Sequence, residues 1–95
     1  MPAYVIAETV EIYDQEAMNE YVRQIHALTP QLGGRILAAG KQADVLEGDW
    51  APRPALIEYP DVATCRDSWA SELYRPLKVL RQRASRHRVV MFEGI

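Results

Sequence analysis

"PALIEYPDV", residues 54 to 62, decides the fold. The five residues between its two prolines are too few for a helix and mostly apolar, so Pro54 to Tyr59 reads as a buried strand that Pro60 stops. Asp61 then stands where a helix N-cap belongs. After it Val62, Cys65, Trp69, Leu73, Leu77, Leu80 and Ala84 lie close to one helical face. Pro76 interrupts that run, which predicts a short helix ending near Ala70 and a restart capped by Ser71, with Pro76 in the early turn of the second piece. "HRVVMFEG", from His87, closes the chain as another strand.

Upstream the same reasoning gives "AYVIAETVEI" as a first strand over about Ala3 to Glu11, with no breaker inside it. Asp14 caps a helix whose Met18, Tyr21, Val22, Ile25, Leu28 and Leu32 recur at three- and four-residue steps, and Gly33-Gly34 ends it. "GRILAAG" is a second strand that "ADVLEG" is expected to continue past a bulge or turn near Gly40 to Gln42. The order is β-α-β-β-α-β, an α+β fold of ferredoxin-like type. A four-stranded antiparallel sheet is expected to carry both helices on one face.

Alternation along the strands has a consequence for assembly. Val89 and Met91 point one way while Val90 and Phe92 point the other; Tyr4 and Ile6 oppose Val5 and Ala7; Leu56 opposes Ile57. Both sheet faces are therefore apolar, and one layer of helices covers only one. The other face is expected to meet a second copy of the chain, giving a homodimer with sheets packed face to face.

The 95 residues suit one domain, residues 1–95, with one core. A net charge of −2 with interleaved signs gives no footprint for nucleic acid or anionic lipid. The one basic run, "RQRASRHR" from Arg81 to Arg88, is read as the solvated end of a helix. No stretch approaches the ~20 apolar residues that span a bilayer, and no leader pattern opens the chain, so a cytoplasmic location is expected. Cys65 is the single cysteine, which excludes an internal disulfide and a cysteine-rich metal site.

The segments "MPAYVIAETVEIYDQEAMNEY", "GGRILAAG", "VLEGDWAPRPALIEYPDV" and "SELYRPLKVLRQRA" together resemble the domain of unknown function 1330 family, in order and over nearly the whole chain. The resemblance implies a dimeric α/β barrel of ferredoxin-like type. Its wider superfamily includes cofactor-free monooxygenases, lactone isomerases and haem-degrading enzymes that act between sheet and helices. Function on such a fold belongs to the site. Family members commonly have Pro directly after the Ser of the second helix, whereas Glu72 follows Ser71 here.

Candidate site residues follow from position. Glu58 either meets Glu8 of the first strand, which would raise one carboxyl pKa and allow acid/base work, or pairs with Arg35 across the second and third strands. The ion pair is the reading adopted. His26, beside the apolar stripe of the first helix, borders a pocket as a proton acceptor or is an ordinary surface histidine. Tyr21, Trp69 and Tyr74 fall on helical faces that meet the sheet, as core packing or as the lining of a cavity for an apolar metabolite. Tyr21, His26, Arg35, Glu58, Trp69 and Tyr74 are the pocket candidates. Trp50, in a polar loop, is the candidate for the dimer interface. His87 is a weaker candidate, and Cys65 reads as a small hydrophobe. Two distant histidines give no metal site, and no cofactor is expected. The functional expectation is a small-molecule-binding homodimer, with cofactor-independent isomerase or monooxygenase chemistry in the pocket. The alternative is a non-catalytic dimerisation or accessory domain.

Overall fold

The computed structural model describes residues 1–95. Its elements, in chain order, are β1 (Ala3–Ile12), α1 (Gln15–Gln31), β2 (Arg35–Ala38), β3 (Ala55–Tyr59), α2 (Val62–Trp69), α3 (Arg75–Ala84) and β4 (Ser85–Glu93). The Asp14 carboxylate accepts from the Ala17 N–H at 3.1 Å, and the Asp61 carboxylate from the Thr64 N–H at 2.7 Å, so both predicted N-caps satisfy an orphan backbone donor. At the end of α1 the Gly33 N–H bonds to the Pro30 carbonyl and the Gly34 N–H to that of Thr29. This Schellman closure needs the positive φ of 88° at Gly33. Gly34 is needed for a different reason: a Cβ there would stand 2.8 Å from the Thr29 methyl and 2.9 Å from the Tyr59 ring. The two glycines press the start of β2 against the end of β3.

All strand pairings are antiparallel, in the order β2-β3-β1-β4. This is the ferredoxin-like α+β arrangement. Register sorts the side chains by face. Val5, Ala7, Thr9, Ile57, His87, Val89 and Met91 look toward the helices. Tyr4, Ile6, Glu8, Leu56, Glu58, Arg88, Val90 and Phe92 look the other way. Tyr4 lies opposite Glu58 and Glu8 opposite Arg88, so Glu8 and Glu58 sit four positions apart along β1 and do not meet.

Three local expectations are corrected. "ADVLEG" adds no strand: the chain from residue 39 to 54 is a loop, pinned by the Ala43 N–H bonding to the Pro52 carbonyl and by the Ala51 N–H bonding to the Glu8 carboxylate. The bulges lie instead between Ile36 and Ala38 and between Thr9 and Glu11. Ser71 does not cap α3; its hydroxyl accepts from the Leu73 N–H within a turn, and α3 starts four residues later with Pro76 in its first turn, where a missing N–H is harmless. The basic run is not wholly a solvated helix end, because Arg81 is only 5% exposed and β4 begins at Ser85, directly after α3.

The helix layer stands off the sheet. α1 and α3 pack chiefly on each other; α1, α2 and α3 meet β2, β3 and β4 respectively, and Val62 and Cys65 of α2 also pack on Ala3 and Val5 of β1. The buried core cluster is small, made of Ala3, Tyr59 and Cys65 with Val5, Ile57, Val62 and Met91 around it. Next to this cluster, between the sheet and the helices, the space is open.

Candidate functional site

That space is a chamber of about 600 Å³. Its floor is the helix-facing side of the sheet, Val5, Ala7, Ile57 and Val89, and its roof is Met18, Val22 and Ile25 of α1. Small residues at Ala7 and Ala55 on the two central strands leave the room that larger side chains would fill. Val22 and Trp69 on its walls are each 44% exposed, so the chamber communicates with solvent.

Its polar end is built on Arg81. Tyr74, Leu77, Arg81 and Ala84 recur at three- and four-residue steps across the start and length of α3, and all four are buried. Arg81 thus occupies an inward position of the helix. Its Nη2 donates to the Tyr74 hydroxyl at 3.3 Å, and its guanidinium carbon lies 5.8 Å from the Trp69 ring and 5.9 Å from the Tyr21 ring. The Trp69 and Tyr74 rings are 5.8 Å apart and tilted, and the Lys78 ammonium sits 4.5 Å above Trp69. Burial pushes the Tyr21 phenol well above its ordinary range, with the neighbouring Tyr74 adding to it, so Tyr21 stays protonated.

Beyond Arg81 runs a chain of three polar side chains. The Ser85 hydroxyl donates its one proton to the Arg81 carbonyl at 2.8 Å, so toward His87 it accepts. His87 Nδ1–H is therefore the donor at 2.8 Å, and the neutral ring accepts the Thr9 hydroxyl proton at Nε2, at 2.9 Å. Burial first, and the Arg81 charge second, lower the His87 pKa from 6.5 to about 4. Near neutral pH this imidazole is uncharged with both nitrogens occupied. Arg81, Trp69 and His87 also border a smaller hollow of about 430 Å³ toward Tyr13 and Arg86.

Of the six pocket candidates, Tyr21, His26, Trp69 and Tyr74 line the chamber, with His26 exposed at its rim. Arg35 and Glu58 do not. They form a 2.9 Å ion pair on the opposite face of the sheet, because even-numbered β3 residues point away from the helices. Trp50 is 51% exposed in the loop and donates its indole N–H to the Glu47 carbonyl at 3.1 Å, so it does not close the core. Glu8, also on the open face, is buried beneath Ala51 and accepts from the Ala51 N–H at 2.8 Å and from Arg88 at 3.0 Å. The Ala51 N–H foremost, then Arg88, holds its carboxyl below the ordinary range against the opposing effect of desolvation.

Arg81, Ser85 and Thr9 were not among the candidates drawn from the sequence. The available signal for Arg81 was its place between Leu77 and Ala84 on the apolar stripe, and for His87 its place two residues before Val89 on an inward-facing strand. Chemically, the arrangement offers three hydrogen-bonding groups, a guanidinium and two phenols, beside an apolar wall. It offers no nucleophile-base pair. Cys65 is buried, with its thiol pKa raised by desolvation, and His87 has no free nitrogen.

A family model described as domain of unknown function (DUF1330) matches residues 2–95. Among solved structures, a protein of unknown function from Rhodopseudomonas palustris is similar with a TM-score of 0.74 at 20% identity, over 99% of this chain and 82% of that one. A dimeric ferredoxin-like protein of unknown function from Jannaschia sp. CCS1 matches at 0.76 and 16% identity, over 99% and 100%. SnoaB, a cofactor-independent oxygenase from Streptomyces nogalater, matches at 0.62 and 13% identity, over 99% and 92%. At these identities the likeness is one of fold. None of the curated proteins compared with the chain matches it.

Proposed function

The chain belongs to the DUF1330 family, and because that description names no activity, we propose from the chain's own geometry that it forms a homodimer whose subunits each bind a small, largely apolar organic molecule. The observation that carries this reading is the chamber. Its volume of about 600 Å³ falls within the range of ligand sites, and it combines apolar walls with a few convergent polar groups at one end.

Dimerisation is supported by the other face of the sheet. Val90 is 54% and Phe92 46% exposed there, beside Tyr4, Ile6 and Leu56, and two similar folds, from Jannaschia sp. CCS1 and Bacteroides fragilis, are described as dimeric. Two copies of this face, with Trp50 at its margin, form a sandwich that hides both. The ligand's role is binding and orientation by donors; oxygenase activity belongs to SnoaB and is not carried over to these side chains.

The test is titration with N-phenylnaphthylamine, an uncharged apolar dye whose fluorescence rises in a dry site. Saturable binding of one dye per subunit is expected, with loss of binding in Ala7→Phe, which fills the floor of the chamber. Binding that never saturates, or that a folded Ala7→Phe variant retains unchanged, overturns the reading.

A further inference from the structure

We infer that the molecule held in the chamber is a carboxylic acid with an apolar body, and that Arg81 is the residue that takes its carboxylate. The inference rests on the chamber being a ligand site and adds the class of ligand. Arg81 is 5% exposed, carries a permanent charge, and takes part in none of the five ion pairs of the molecule. The two carboxylates of β1 are engaged with other groups: Glu8 with Ala51 and Arg88 on the far face, and Glu11 with Arg86.

A buried cation without a counter-ion is strongly disfavoured, so the anion is expected to arrive with a ligand. Of its five N–H donors, one meets the Tyr74 hydroxyl at 3.3 Å, and the Tyr21 hydroxyl is the other protein acceptor beside the guanidinium. No side-chain nitrogen of the molecule is both sealed from solvent and without a partner, so Nε and Nη1 of Arg81 are reachable by water. Nη2 keeps a second N–H beyond the one given to Tyr74, and with Nε or Nη1 it forms the paired donors that match the two oxygens of a carboxylate. The rings of Tyr21 and Trp69 flank the cation and leave its charge intact, where a carboxylate neighbour would have cancelled it. The apolar body then lies along Val5, Ala7 and Ile25.

The experiment compares shape-matched pairs, naphthoate with naphthamide and octanoate with octanamide, by calorimetric titration of the full chain. The acids are expected to bind roughly 10- to 100-fold more tightly than their amides, as a charge-assisted bidentate pair gives. In Arg81→Met that preference is expected to vanish with amide affinity changed only a few-fold, and Arg81→Lys is expected to keep part of it. A readout free of substitution is the Arg81 Nε–H proton resonance, which shifts on adding naphthoate and not on adding naphthamide. Equal binding of acids and amides, an acid preference that survives Arg81→Met, or an unmoved Nε–H resonance overturns the inference and leaves the chamber standing as an apolar site. If neither acids nor amides bind, the ligand-site reading falls with it.

Discussion

Val90→Asp separates the proposed dimer from a free-standing subunit. Val90 lies opposite Ile6 on the helix-free face, next to the row of Tyr4 and Phe92, and is 54% exposed in the single chain. Fully burying a valine side chain is worth about 1.5–3 kcal/mol, so covering its exposed half contributes about 1 kcal/mol per copy, or about 2 kcal/mol over the two copies of a symmetric interface. Loss of that term alone weakens the dimer ~30-fold. An aspartate adds the desolvation of two carboxylates held face to face, several kcal/mol more, which places the variant among monomers at micromolar concentration. Sedimentation equilibrium reads the outcome directly, with circular dichroism confirming the fold. Val89→Thr is the control, because Val89 points into the chamber and its substitution leaves association unchanged. A Val90→Asp variant that sediments as the wild type does would refute the face-to-face arrangement.

Two further expectations concern acid. Glu8→Gln keeps one acceptor for the Ala51 N–H but turns a donor or an uncharged oxygen toward Arg88, so a loss of about 1.5–2 kcal/mol is expected in urea denaturation at pH 7. Because the Glu8 pKa is lowered in the folded state, its contribution is present above its ordinary value near 4.5 and is lost as pH falls through the folded value; wild type and variant should converge there, and a gap that persists at pH 2 contradicts the assignment. His87 acts in a higher window: its folded pKa of about 4 lies below the ordinary 6.5, so the unfolded chain binds the extra proton and stability declines as pH falls from 6.5 to about 4. His87→Gln is expected to remove about 2 kcal/mol of that decline, allowing for solvent access to the ring, and an unaltered slope between pH 6.5 and 4 in the variant counts against the neutral-imidazole chain.

The elements with local causes were legible in the sequence. Asp14, Asp61, Gly33 and the bracketing prolines of β3 each act on residues within a turn of themselves, and each is found where its chemistry places it. The Arg35–Glu58 pair was legible because strand order and period-two alternation bring those residues to adjacent strands on one face. What failed was non-local. The loop from residue 39 to 54 has apolar residues at Val45 and Leu46 that look strand-like, but its anchor is the Glu8 carboxylate, 43 residues away in sequence from Ala51. Glu8 itself reads in the sequence as one more polar residue of an alternating strand.

Arg81 shows how composition can hide a site. Four arginines in eight residues invite a collective reading as a charged surface, yet two lie on β4 and the turn of α3 separates the other two: Arg83 faces solvent while Arg81 replaces an apolar residue on the stripe of Leu77 and Ala84. The same separation by geometry governs the whole sheet. Its two apolar faces are alike in sequence, but one side carries the three helices, with α1 packed on α3, and the other carries no helix. The buried core cluster of Ala3, Tyr59 and Cys65 is small for a chain of this size. The apolar burial that the isolated fold forgoes is what the proposed second subunit on one face and the proposed organic acid on the other would supply.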